Sequence, residues 1–221
     1  LANYLGMMGW SMPSGDEKFS IEEMTEAFDL TRVSLGGPIF DTEKLDWLNG
    51  KYIREDLSDA QFAERYGAWA FSSDKVAKIV PLLKQRVERF SDVAGLGGFF
   101  LSGLLDIDMD DFAHKTLDAQ LQAKILQFSL WRLEQLQHWQ RDNIEDTLQS
   151  LSNSLQLKIR DFLFPLFVAI SGKAVSTSVI ESIQILGMDI CRARMRHAIA
   201  VLGGISKKQA KLLEREFRDL S

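Results

Sequence analysis

Four aspartates crowd the stretch LLDIDMDDFAH, at 106, 108, 110 and 111. Oxygen donors at that density suit calcium. A calcium-binding helix–loop–helix begun at Asp106, however, needs Gly at its sixth position and Glu at its twelfth, where this chain has Asp111 and Leu117. GLGG at 95–98 lacks the preceding strand and the Lys–Ser/Thr pair that turn a glycine loop into a phosphate cradle, so it reads as a turn. His114, His138 and His197 stand far apart, in no HxxxH or HExxH spacing. Cys191 is the single cysteine, in an apolar and basic segment with no matched His, so a buried thiol is expected rather than a nucleophile. No set of residues forms a catalytic centre or a metal site. The remaining chemistry is cationic and aromatic. FDTEKLDWLNGKYIRE, at 40–55, places Lys44, Lys51 and Arg54 around Trp47 and Tyr52. Lys and Arg are the side chains that contact phosphates. What a helix wants with two such rings among three cations is left open by the residues alone.

The elements that must carry these residues read as helices. SIEE (20–23) and SDAQ (58–61) are capping boxes, in which a Ser side chain takes the amide three residues on and an acid or amide reaches back. DNIE (142–145) and SVIE (178–181) are two further start signals. Val76, Ile79, Val80, Leu83 and Val87 step by three and four, which predicts one buried face on a helix over 74–89. Leu121, Ile125, Phe128 and Leu136 predict a long helix near 118–140, and Ile144, Leu148, Leu151 and Leu155 the next. Gly187 is placed to end the helix begun at 179, and Asp189 to cap the following one. Breaks are expected near 70–75 and 171–177. No alternating strand pattern or βαβ spacing occurs, and SLGGPIF (34–40) reads as a connector. The fold class is therefore all-α.

The 221 residues carry a net charge of −5 and 46% apolar residues, enough for a packed core. No apolar run reaches the roughly 18 residues of a membrane span. With no positively charged signal start and a lone cysteine, the expectation is a cytoplasmic protein. The charge is uneven. Residues 158–221 hold eleven Lys/Arg against six Asp/Glu, a net of +5, and 1–157 hold fifteen against twenty-five, a net of −10. Arg192, Arg194, Arg196, Lys207 and Lys208 lie in the basic part. The overall acidity argues against indiscriminate nucleic-acid binding, while a local basic face remains able to contact phosphates.

LANYLGMMGWS followed by VSLGGPIFDTEKLDWLNGKYIRE resembles the region just after the catalytic domain of bacterial glutamyl-tRNA synthetases. The shared form is FD-x-x-KL-x-W-x-N-x-x-Y-I, matched here by Phe40, Asp41, Lys44, Leu45, Trp47, Asn49, Tyr52 and Ile53. LWRLEQLQHWQRDNIEDTLQSLSNSLQLKIRDFLFPLFVAISGKAVSTSVIESIQILG, at 130–187, is similar to the anticodon-binding region of the same family. The resemblance implies a small helical stem-contact domain over 1–70. An anticodon-binding helical bundle would follow, in two subdomains over 71–160 and 161–221. It implies that the opening cations contact tRNA phosphates while Asp41 and the aromatics hold the helix. The ATP-binding signatures of the class are absent. ISKK at 205–208 mimics one by eye but reads as a Ser-capped helix start. With no initiator Met, the chain is expected to be the C-terminal part of a synthetase. ATP and Mg would serve the full-length enzyme, with no cofactor here and no activity alone. The expected partners are tRNA(Glu) and the catalytic domain of the same chain, with no membrane, and the expected state is a monomer. The rival reading is a helical protein-interaction module on the same scaffold.

The resemblance also implies readers. Arg86, in LLKQRVERFSDV, matches the arginine that selects cytosine over uracil at the first anticodon base, a choice Gln tolerates differently. Its presence marks the discriminating type, which charges the glutamate tRNA and rejects the glutamine one. Phe167 stands where many relatives have Arg, leaving stacking rather than edge pairing. Ser176 and Val179 occupy a turn usually built as Thr-Pro or Ser-Pro plus a large apolar residue. Arg192 and Arg196, one turn apart, are expected to face phosphates. The expected tRNA-binding set is Lys44, Trp47, Lys51, Arg54, Arg86, Phe167, Ser176, Val179, Arg192 and Arg196.

Overall fold

A capping box at Ser20 and another at Ser58 start helices where the sequence predicts them, each with both reciprocal hydrogen bonds formed. The computed structural model describes residues 1–220, and among them it forms helices and no strand. The chain divides into two compact units, Leu1–Phe71 and Ser72 onward.

The first unit holds α1 (Ala2–Met7), α2 (Ile21–Ala27), α3 (Thr42–Asp56) and α4 (Asp59–Ala70). Its apolar core is thin: Tyr4, Trp10, Phe19, Leu48 and Ala70 are the buried hydrophobic residues. Polar clips supplement it. The Tyr4 hydroxyl donates to the Asp41 carbonyl at 2.8 Å and accepts the Asp41 amide at 2.7 Å. The Tyr52 hydroxyl lies 2.9 Å from Asn3 Oδ1 and 3.0 Å from the Phe19 carbonyl. The Asn3 amide group donates to the Glu17 carbonyl, and its oxygen accepts the Phe19 amide. Loops between short helices leave many backbone groups outside any helical ladder, and these side chains satisfy several of them.

The second unit holds α5 (Ser73–Leu83), α6 (Asp92–Gly97), α7 (Ala119–Glu134), α8 (Arg141–Ser154), α9 (Ile159–Ser171), α10 (Val179–Val201) and α11 (Lys207–Asp219). Here α7, α8, α9 and α10 surround one continuous core. Ile125, Phe128, Ile144, Leu148, Phe162, Leu166, Ile183 and Met195 are among its fully buried side chains. The predicted stripes supply Ile125, Phe128, Ile144, Leu148 and Leu151, and residues of α9 and α10 complete the core. Two lengths differ from expectation. The helix predicted over 74–89 ends at Leu83, because the Asp92 carboxylate captures the Glu88 and Arg89 amides and starts a turn instead. Val80, expected to be buried, is exposed. The helix predicted to reach 140 stops at Glu134, and Trp139 turns back to donate its indole N–H to the Gln184 carbonyl at 3.2 Å. The helix expected from DNIE starts at Arg141, with Gln140 as an N-cap that makes no side-chain bond.

Gly187 interrupts α10 with φ 79° and ψ 165°, a conformation that only glycine adopts readily. The break falls where the sequence places it. Asp189, expected as the next cap, instead accepts a hydrogen bond from Arg192 at 2.7 Å. At the other end of the unit Ser206 caps α11 through a complete capping box with Gln209, as ISKK predicts.

Candidate nucleic-acid interface

In the first unit, Asp41 caps α3 by accepting the Glu43 and Lys44 amides at 2.9 and 3.1 Å. Its own backbone is gripped by Tyr4, so the entry of the helix is fixed from both sides. From that start the side chains fall into two faces. Leu48 is buried, and Leu45 and Tyr52 are half-buried on the same side. Trp47 lies off that stripe and is 40% exposed. The Lys44 and Lys51 ammonium groups sit 4.7 and 5.1 Å from its ring centroid, so the indole is flanked by two cations. Lys44 is also ion-paired with Glu17. Lys51 and Arg54 have no carboxylate partner among the described residues. The rings among the cations therefore split their work: Tyr52 ties loops inside, and Trp47 organises ammonium groups outside.

In the second unit, Arg86 follows the end of α5, exposed to solvent. Its Nη1 donates to the Ser176 carbonyl at 2.6 Å, joining segments 90 residues apart. Lys173 Nζ donates to the Gly95 carbonyl at 2.9 Å. Lys173, Gly95 and Ser176 line a groove of about 380 Å³, together with Phe99, Ser102, Ser171 and Val175 among others. A guanidinium has five N–H donors and no acceptor. The bond to Ser176 orients the Arg86 group and leaves further donors for an incoming acceptor. Ser176 contributes through its carbonyl, not its hydroxyl.

Three of the expected RNA-binding positions sit differently. Val179 is 3% exposed in the core, so its methyl groups do not reach RNA. The apolar residue that opens α10 serves packing. Phe167 is half-buried against the core, outside the groove lining. Arg192 donates to Glu134 and to Asp189, both at 2.7 Å, and the Glu134 carboxylate foremost holds its pKa above the usual value. Its charge is spoken for. Arg196 lies 3.9 Å from the same Glu134 and stays largely exposed, so only one of the pair offers its guanidinium.

Arg194, which the sequence groups with the basic surface, is 1% exposed. Its guanidinium donates to the carbonyls of Gly103 at 2.8 Å, Phe99 at 2.6 Å and Ser102 at 2.7 Å, and also to that of Ile170. Burial lowers its pKa to about 10, still charged at neutral pH. It ties the turn at 99–103 to the end of α9, and both are walls of the groove. The signal for this role is its spacing: Arg194 falls on the stripe with Cys191 and Ala198 that faces the core. Burial also pushes the Cys191 thiol up to about 12, which leaves it protonated and inert.

No three His, Cys, Asp or Glu side chains converge on a metal position among the described residues. No helix among them is long and apolar enough to cross a membrane.

The family model described as "Anticodon binding domain" matches residues 61–199. A glutamate–tRNA ligase from a Marinomonas species is 54% identical over 218 residues, which is 99% of this chain and 44% of that protein. One from Alcanivorax borkumensis is 51% identical over 220 residues, covering all of this chain and 44% of the relative. The chain thus spans under half the length of the curated relatives it matches. A crystal structure of a glutamate tRNA ligase from Elizabethkingia meningosepticum shares the fold, with a TM-score of 0.54 at 24% identity over 91% of this chain and 40% of that one.

Proposed function

The chain belongs to the anticodon-binding-domain family, and from that premise we propose that it is the tRNA-reading part of a glutamate–tRNA ligase. The ligase as a whole would join glutamate to tRNA(Glu) with ATP and Mg, and this part would bind the RNA. The carrying observation is the exposed Arg86 guanidinium, held by the carbonyl of Ser176, a residue that lines the groove. Single-stranded RNA is read by splaying bases out and pairing their edges. Cytosine offers two adjacent acceptors on its pairing edge, whereas uracil puts an N–H donor between its carbonyls. A donor-only guanidinium favours the first. Trp47, Lys51 and Arg54 on the first unit, and Arg196 on the second, would supply stacking and phosphate contacts.

The test is the affinity of the chain for glutamate tRNA carrying cytosine or uracil at the first anticodon base. Wild type should prefer cytosine. Arg86→Gln should flatten that preference by roughly 1–3 kcal/mol, the scale of one good base contact. Arg86 follows the end of α5, so Gln there should leave the helices intact, checked by circular dichroism. A preference untouched by the substitution would remove Arg86 from the reading.

A further inference from the structure

α11 lies beyond the matched family region, which ends at residue 199. Its apolar side is committed: Phe217 is buried in the core of the second unit, and Leu213 and Leu220 pack against it. Arg132 clamps that end, with its guanidinium 4.8 Å from the Phe217 ring and a bond to the Leu220 carbonyl at 3.2 Å. The rest of the helix faces solvent. At about 100° per residue, Lys207, Lys208, Lys211, Arg215 and Arg218 all fall within an arc of about 100°, opposite the buried stripe. All five are exposed.

Elsewhere in the chain, many cations find carboxylates. Lys18, Lys44, Lys124, Arg141 and Arg192 each form ion pairs. On α11 the one carboxylate in an ion pair, Glu216, is joined to Lys124 of α7. None of the five cations has a carboxylate within ion-pair distance among the described residues. Five like charges on one face repel one another, which an external polyanion would relieve.

We propose that the outward face of α11 binds the phosphate backbone of a helical RNA stem, as a site separate from Arg86. The proposal rests on the chain being an RNA binder. No aromatic ring lies on the arc, so phosphates rather than unstacked bases are the fitting ligand. From Lys208 to Arg218 the stripe runs about 15 Å, enough to follow several phosphates of one duplex. A lipid surface fits less well. An interfacial helix needs its apolar face free to enter the bilayer, and here that face is spent on the core, with Leu212 alone exposed beside the cations.

The experiment measures binding of glutamate tRNA to the whole chain across a salt series, for wild type, Arg86→Gln and the triple variant Lys208→Gln, Lys211→Gln, Arg215→Gln. Gln keeps helix propensity, and circular dichroism monitors the fold. Every phosphate that is no longer neutralised should reduce the log–log salt slope by about 0.7–0.9, so the triple variant should lose about 2–3 units of slope and bind at least about tenfold more weakly at low salt. Its cytosine-to-uracil preference should equal that of wild type, while Arg86→Gln should alter the preference and keep the slope. If wild type binds and the triple variant shows the same slope and affinity, the α11 proposal is overturned and the anticodon reading stands. If wild type fails to bind tRNA, or binds anionic phospholipid vesicles instead, both fall.

Discussion

The two units hold loops in place by different means. The first, Leu1–Phe71, has a thin apolar core and relies on the hydroxyls of Tyr4 and Tyr52 and the amide of Asn3 to fix its connectors. The second packs a continuous core and buries one guanidinium, Arg194, where four carbonyls converge. The first kind of clip is a neutral hydrogen bond, worth little net but costly to orphan. The second is a charge without a counter-ion, tolerable because all three of its nitrogens donate to carbonyls. A thick core can carry such a charge. A thin one is better served by neutral groups.

Arg194→Met tests the stronger half of that contrast. It fills similar volume and leaves the Phe99, Ser102, Gly103 and Ile170 carbonyls without their donor. The expected destabilisation is roughly 3 kcal/mol or more, read from urea unfolding of the second unit. The bases should also be discriminated less well, because the groove walls loosen. An unchanged midpoint would mean that the guanidinium merely breaks even with an apolar side chain. Tyr4→Phe probes the first unit. It removes a hydroxyl that serves both the amide and the carbonyl of Asp41, and should cost about 1–3 kcal/mol in that unit while leaving the second untouched. A drop in stability of both units together would break the comparison. The smallest effect belongs to Trp47→Ala. Its two cation–π interactions are exposed and worth about 0.5–1 kcal/mol each, and the change should register more in tRNA affinity than in unfolding.

Much of this is legible in the sequence, and the reasons are local. Ser20, Ser58 and Ser206 announce their helices because a capping box needs only four residues to be recognised. The stripes of α7 and α8 announce their buried faces over a few turns each. Helix ends are less readable. α5 stops at Leu83 through a competitor nine residues on, Asp92, and α7 stops at Glu134 because Trp139 has a carbonyl to reach at Gln184. Both depend on partners that periodicity does not weigh. The site residues divide in the same way. Trp47 lies off its stripe, and the structure finds it exposed. Arg194 reads as a surface cation when its type outweighs its position, and Arg192 reads as available because Glu134 is 58 residues away.

The kink at Gly187 has a consequence for how α10 is indexed. The buried residues before it include Ile180 and Ile183, and those after it Cys191, Met195 and Ala198. On an unbroken helix, eight residues from Ile183 to Cys191 would advance the inward direction by about 80°, and the two stripes would point to different neighbours. The glycine resets the phase. Each half of α10 is then free to aim at the core by its own count, and a residue inserted or deleted beside Gly187 shifts the origin of one count without scrambling the other. The two halves behave as separate rulers laid end to end, with Arg194 at a fixed mark on the second.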